Sequence, residues 1–169
     1  MNIAQRELIT NGYFSKDVNR IKEVAHMLAQ SGVNGICLSV DAFHQETIPL
    51  EYVKEFAMAV LDENIPIHTH PAWLVSVDDD NPYNLKTREL LNEFSEMGIT
   101  KLSGNVIFPS GNALKYLGEY FDKNIDYHNP YVEDARNMKT ISFSANGDVL
   151  GGNIYDNSIL DIINSYNVR

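Results

Sequence analysis

Short apolar runs alternate with amphipathic stretches along most of this chain, and no other feature of the sequence limits the fold as strongly. Four of the runs have the length of strands, at residues 7–10, 35–40, 65–68 and 99–108. Each is followed by apolar residues at helical spacing. Because a parallel strand pair needs a crossover of a dozen or more residues, this alternation predicts about four βα units and a mostly parallel sheet.

Helix start and stop signals agree with this pattern. Ser15 is predicted to be the N-cap of the first helix, which Gly32 ends, and Pro49 opens a second helix that ends near Asn64. A third helix is predicted over residues 85–97, and a fourth follows the turn at residues 109–111. Each helix falls between two predicted strands or after the last one, as βα units require.

The βα pattern stops after about residue 125. Asn146 and Gly147 predict a β-hairpin that joins residues 140–144 to residues 149–150, since both residues tolerate positive φ. Ser158, with Asp161 three residues later, predicts the start of a last helix. We therefore predict a partial (β/α) barrel in residues 1–125, followed by a small hairpin and C-terminal helix in residues 126–169.

A sheet of only four parallel strands leaves its edges open. Right-handed crossovers curl consecutive units in one direction, so backbone groups and apolar side chains at both ends of the sheet stay uncovered. We expect the missing half of a barrel, a second copy of this chain or a partner subunit to cover them.

Charge and cysteine content exclude several classes of function. The chain has 23 acidic and 13 basic side chains, a net charge of −10, which opposes binding to nucleic acid. The sequence shows no apolar run of about 20 residues and no signal-peptide pattern, so we predict a cytoplasmic protein that does not enter membranes. Cys37 is the only cysteine, so this chain alone forms no internal disulfide, zinc ribbon or cysteine-held iron–sulfur cluster.

Polar side chains follow the predicted strands at their carboxyl ends, where parallel α/β folds build ligand sites. The candidate site residues are Thr10, Asn11, Ser39, Asp41, His44, His68, His70 and Asn105. Residues two apart on a strand share a face, so we expect Ser39 to lie with Asp41, and His68 with His70.

Several of these residues have two interpretations. His68 and His70 are either ligands of a metal-dependent hydrolase or histidines that bond the backbone or an organic ligand; the further histidine and carboxylate ligands of a hydrolase are not evident, so we predict no metal site. Asp41 and His44 either cap the next helix or contact a ligand. Cys37, between two apolar residues, is interpreted as a buried hydrophobic side chain rather than a nucleophile.

Four segments, at residues 8–12, 38–41, 107–113 and 141–163, resemble parts of the C-terminal half of radical SAM enzymes. Residues 8–12, which end in Thr10-Asn11-Gly12, resemble the third strand of that barrel, and residues 38–41 resemble its fourth. Residues 107–113 are similar to the turn after the sixth strand, with Asn112 where the family commonly has Arg. The tail from residue 141 to residue 163 resembles the hairpin and helix that begin a SPASM-type extension, without its cysteines.

The resemblance implies S-adenosylmethionine as cofactor, with Ser39, Asp41, Thr10 and Asn11 as its binding residues. Ser39 and Asp41 would contact its ribose or the substrate, and Thr10 and Asn11 would line the mouth of the barrel. The residues implied on the substrate side are His44, His68, His70 and Asn105, facing a small molecule or a peptide. The family's three-cysteine loop and its Gly-Gly-Glu segment are missing, so we expect this chain to hold no cluster and to be inactive alone. The alternative is a non-catalytic half-barrel that dimerises or docks a cluster-bearing subunit.

Overall fold

Parallel strands in chain order form the central sheet of this protein, whose computed structural model describes residues 4–125, 127, 141, 143–144 and 146–166. Its strands are β1 (Glu7–Thr10), β2 (Gly35–Leu38), β3 (Ile67–Thr69) and β5 (Thr100–Lys101). They lie in the order β1-β2-β3-β5, and every neighbouring pair is parallel. Two further strands, β4 (Ala72–Leu74) and β6 (Asn105–Ile107), form a second parallel pair. The prediction of an α/β fold with a parallel sheet is confirmed.

The strand predicted at residues 99–108 is interrupted, and here the prediction of one continuous strand is wrong. Its two halves are β5 and β6, separated by residues 102–104, and β3 and β4 are separated in the same way by residues 70–71. Gly104 has φ +74°, and a Cβ atom on it would lie 2.1 Å from the carbonyl oxygen of Pro71. The two breaks therefore lie against each other at a point where only glycine fits.

Five α-helices lie in the same stretch of chain as these strands, between residues 18 and 117. They are α1 (Val18–Gln30), α2 (Ala42–Gln45), α3 (Leu50–Asp62), α4 (Pro82–Glu96) and α5 (Gly111–Leu117), which continues into a 3₁₀ turn. The N-cap of α1 is Asp17, not Ser15 as predicted; Ser15 instead accepts a hydrogen bond from the Asp17 amide. Among the described residues, no helix has the length and apolar character needed to cross a membrane.

Helices cover one face of the sheet. The buried faces of α1, α3 and α4 form a single core with alternate residues of the strands, such as Ile36, Leu38 and Ile67. The opposite face carries Glu7, Ile9, Cys37 and His68, and Ile9 is 69% exposed there. Parallel sheets are normally covered on both faces, whereas within the described residues Glu7 and Ile9 of this face, called the open face below, are exposed.

The contacts within the chain divide it into two units, Met1–Lys123 and Asn124–Arg169. In the second unit, β7 (Asp148–Val149) pairs antiparallel with β8 (Gly152–Asn153), and α6 (Ile159–Ser165) follows. The turn of this hairpin is Leu150-Gly151, both at positive φ, and the sequence did not predict it. The chain also turns at the predicted Asn146-Gly147, where the Gly147 amide donates to the Ser144 carbonyl and the Ser144 amide donates to the Asp148 carbonyl. The capping role predicted for Ser158 is confirmed by its hydrogen bond from the Asp161 amide. Residues 140, 142 and 145 of the predicted hairpin lie outside the described residues.

Candidate functional site

Asp41 lies just past the carboxyl end of β2 and is fully buried. It is the N-cap of α2: its Oδ1 accepts a hydrogen bond of 3.0 Å from the His44 amide. Both carboxylate oxygens lie 2.9 Å from His44 Nδ1, and Oδ2 accepts a further hydrogen bond from the Ala72 amide. The carboxylate therefore joins the loop after β2 to the first residue of β4 and orients the His44 ring.

The charges of Asp41 and His44 stabilise each other. Burial acts to raise the pKa of Asp41, but the hydrogen bonds from His44 and the Ala72 amide outweigh it and hold that pKa below its ordinary value. The hydrogen bond to Asp41 raises the pKa of His44, although burial opposes this. The His44 ring is partly exposed, so a buried carboxylate holds an accessible imidazole in the arrangement used to position a proton donor or acceptor.

A small cavity lies beside this pair. Its volume is about 340 Å³, and it is lined by Ala42, Gln45, Glu46, Pro82, Tyr83 and Lys86. Gln45 Oε1 accepts a hydrogen bond from the Asp41 amide, which leaves Gln45 Nε2 buried without a partner. The cavity is at the small end of the range for ligand sites, and its lining includes an unused donor.

Three buried side-chain atoms have no hydrogen-bond partner in the described part of the chain: Gln45 Nε2, Thr69 Oγ1 and His70 Nε2. Thr69 and His70 lie at the carboxyl end of β3, and Gln45 lies on the short helix that follows β2. Buried polar groups are nearly always satisfied, so each orphan marks a place for a bound ligand or an ordered water. Thr69 and His70 are consecutive, so their side chains lie on opposite faces of the sheet and do not share one ligand: His70 lies beside Cys37, and Thr69 lies on the helix-covered face with Leu38.

The remaining predicted site residues on the early strands have different roles. Thr10 Oγ1 accepts a hydrogen bond from the Gly12 amide, and Asn11 Oδ1 accepts one from the Tyr13 amide, so both side chains shape the turn after β1. Ser39 is half-buried, and its hydroxyl bonds to no other described residue. Asn105 is exposed at the start of β6. Of the site residues predicted at strand ends, Ser39 is therefore the one with a hydroxyl left for a ligand; Thr69, which was not among them, also has an unpartnered hydroxyl.

The open face of the sheet brings Glu7, Cys37 and His68 together. One ligand atom from each of them lies within 4.8 Å of the other two, and His68 Nε2 is 3.1 Å from Glu7 Oε1. His70 also lies beside the thiol, with Nδ1 3.5 Å from Cys37 Sγ. Burial, and secondarily the charge of Glu7, raise the pKa of Cys37. His68 and His70 thus share a face as predicted, but each bonds to a different partner.

Two structural residues of this edge were not recognised from the sequence. Asn84 is fully buried on α4; its side chain accepts a hydrogen bond from the Leu74 amide and donates to the Leu74 carbonyl and to two carbonyl oxygens of the loop after β4. Val75 in that loop has φ +68°, a strained conformation for a β-branched residue. The sequence did contain a signal for this helix start. Asn81 is the N-cap of α4 and Pro82 its first residue, so the helix begins three residues before the predicted residue 85 and includes Asn84.

Glu7 was also missed as a site residue, because only the register of β1 on β2 brings it to Cys37. A comparison with protein-family models finds none that matches this chain, and a search of curated proteins finds no match to its sequence.

Proposed function

We propose that this chain is the C-terminal part of a radical SAM barrel and forms the ribose side and substrate side of its ligand site. The observation that carries the proposal is that two buried polar atoms without a partner among the described residues, Gln45 Nε2 after β2 and His70 Nε2 after β3, lie at the carboxyl edge of the sheet. The parallel, sequential strand order supports it, because consecutive βα units place their ligand site at this edge. The resemblance of residues 8–12, 38–41 and 107–113 to the family supplies the chemical class.

The residues at this edge suit S-adenosylmethionine in part. Ser39 offers a free hydroxyl to a ribose, and Gln45 offers a buried donor to an acceptor on a ligand. The resemblance implied that Asp41 contacts the cofactor. Because its two oxygens already accept hydrogen bonds from His44 and from the Ala72 amide, we assign Asp41 the role of positioning His44 instead. His44 Nδ1 faces Asp41, which leaves Nε2 as the ring atom able to hold or transfer a proton at the site.

When bound in the complete enzyme, the cofactor would supply a 5′-deoxyadenosyl radical that abstracts hydrogen from a substrate. In that enzyme, this chain would bind and orient the cofactor and the substrate and would shield them from water. A four-iron cluster needs several thiolates, and the single Cys37 cannot provide them. The cluster would therefore come from elsewhere in the assembly.

The test is a calorimetric titration of the purified chain with S-adenosylmethionine. We expect saturable binding that Ser39→Ala weakens about three- to tenfold, the usual effect of one lost hydrogen bond. The matched control is Ser31→Ala at the end of α1, whose hydroxyl donates only to the Met27 carbonyl. The proposal fails if no saturable binding is seen, or if Ser39→Ala binds as well as the wild type.

The second candidate function is a non-catalytic half-barrel that covers its open face with a second copy or with a cluster-bearing subunit. The exposure of Ile9 on that face favours it, since apolar side chains of a parallel sheet are normally covered. Size-exclusion chromatography with light scattering would show a dimer that Ile9→Lys dissociates. Met27→Lys, which changes another exposed apolar residue on α1, is the control. A wild-type monomer at high concentration would argue against the dimer.

A further inference from the structure

The strongest unassigned feature outside the Asp41 and His44 pair is the side-chain cluster on the open face of the sheet. Glu7, Cys37 and His68 come from three adjacent strands, and the hydrogen-bond register of β1, β2 and β3 holds them on one face. They offer a carboxylate oxygen, a thiol sulfur and an imidazole nitrogen. These are the three donor types that zinc accepts in proteins.

We propose that Glu7, Cys37 and His68 bind one zinc ion, with the fourth coordination position open to solvent. The inference does not depend on S-adenosylmethionine, and it replaces the sequence-based expectation that the chain has no metal site. The hydrolase alternative considered from the sequence used His68 and His70 as metal ligands. The site proposed here keeps His68 but has Glu7 and Cys37 as its other ligands.

The distances support this assignment. Zinc holds nitrogen and oxygen ligands at about 2.0–2.2 Å and sulfur at about 2.3 Å, so ligand atoms in a tetrahedral site are about 3.3–3.6 Å apart. His68 Nε2 and Glu7 Oε1 are 3.1 Å apart, and no pair in the cluster exceeds 4.8 Å. Small side-chain adjustments would therefore bring all three atoms onto one ion without movement of the strands.

The surroundings also fit a metal site. The Cys37 side chain is buried, whereas the Glu7 and His68 side chains are 33% and 24% exposed, so an ion can enter from the open face. His70 Nδ1 lies 3.5 Å from Cys37 Sγ and can donate a hydrogen bond to the thiolate once its proton has left to solvent. His70 would then position the sulfur, as residues around metal ligands commonly do.

A second histidine and glutamate pair in the chain provides a matched control. His26 Nδ1 lies 3.0 Å from Glu63 Oε1, almost the same separation as in the cluster. Among the described residues, however, no third thiol, imidazole or carboxylate lies close enough to share an ion with that pair. If a simple surface ion pair were enough to bind zinc, both pairs would bind it. If the thiol completes the site, only the cluster with Cys37 will.

The experiment measures zinc bound per chain after dialysis, and the affinity by competition with a chromophoric chelator. We expect one zinc per chain, at least tenfold weaker binding in each of Cys37→Ser, His68→Gln and Glu7→Gln, and no change in His26→Gln. Cobalt substitution adds a direct readout, a thiolate-to-cobalt charge-transfer band in the near ultraviolet. Zinc should also slow alkylation of Cys37, the only thiol in the chain.

Three results would overturn the proposal: well under one zinc per chain, undiminished binding in Cys37→Ser, or equal losses in His26→Gln and His68→Gln. Far-ultraviolet circular dichroism of each variant checks folding. If Cys37→Ser does not fold, the cobalt band of the wild-type protein decides, because its absence would mean that sulfur is not a ligand.

Discussion

Replacement of Asp41 by alanine tests whether this residue holds the carboxyl edge of the sheet together. Its buried carboxylate accepts hydrogen bonds from the His44 amide, the His44 ring and the Ala72 amide. Alanine removes all three hydrogen bonds at once. We compare it with Asp41→Asn, which keeps the shape and the capping oxygen but loses the charge.

The expected cost follows from these contacts. Loss of the N-cap costs about 1 kcal/mol, and loss of a charged acceptor from the Ala72 amide costs about 1.5–3 kcal/mol. The His44 ring is partly exposed and can turn to water, so its hydrogen bond adds only about 1 kcal/mol or less. The sum for Asp41→Ala is about 3–5 kcal/mol, a large share of the roughly 5–15 kcal/mol typical of a folded domain. Asp41→Asn should cost about 1–3 kcal/mol, since it loses chiefly the charged hydrogen bonds.

Urea unfolding measures the effect. With a slope of about 2 kcal/mol per molar urea, Asp41→Ala should lower the midpoint by roughly 2 M, and Asp41→Asn by about half as much. His44→Ala, which removes only the ring, should cost less than either. A cost below about 1 kcal/mol for Asp41→Ala, less than the cap alone is worth, would refute the reasoning and would return Asp41 to the role of a ligand contact.

Three further predictions use the same purified chain. The Asp41 pKa lies below 3.8 and the His44 pKa above 6.5, so the pair stabilises fully between about pH 4 and 6.5. The midpoint difference between wild type and His44→Ala should shrink as the pH rises above 6.5 through the raised His44 pKa, and a difference that stays constant well into the alkaline range would contradict this. Gly104→Ala should cost about 3 kcal/mol or more because its Cβ meets the Pro71 carbonyl, whereas Gly98→Ala, also at positive φ but in open space, should cost about 1–2 kcal/mol in the same unfolding assay. After anaerobic reconstitution with iron and sulfide, the chain should not cleave S-adenosylmethionine, and detection of 5′-deoxyadenosine would show that expectation to be wrong.

The parallel sheet was predictable because its signals are local. Apolar runs near residues 7–10 and 35–40, each followed by helical spacing, are enough to indicate βα units. The breaks at residues 70–71 and 102–104 were not predictable, since the need for Gly104 comes from the carbonyl of Pro71, which lies in the other break. In the tail, the turn at Asn146-Gly147 was predictable from its two residues, and the Gly147 amide donates to the Ser144 carbonyl there. The turn at Leu150-Gly151 between β7 and β8 was not predictable, because the positive φ of Leu150 is one that propensity does not favour.

In the candidate site, too, contacts between residues close in sequence were predictable, and contacts between different strands were not. The sequence already offered a capping role for Asp41, because His44 follows it by three residues, the spacing of an N-cap and the amide that it accepts from. Glu7, by contrast, meets Cys37 and His68 only because Glu7 pairs with Gly35, and Cys37 with His68. A shift of one residue in the register of β1 would turn the Glu7 side chain to the helix-covered face and leave the thiol and imidazole as a site of two donors. The zinc proposal is therefore also a test of this register: a metal bound by all three side chains requires β1 to lie on β2 as it does here.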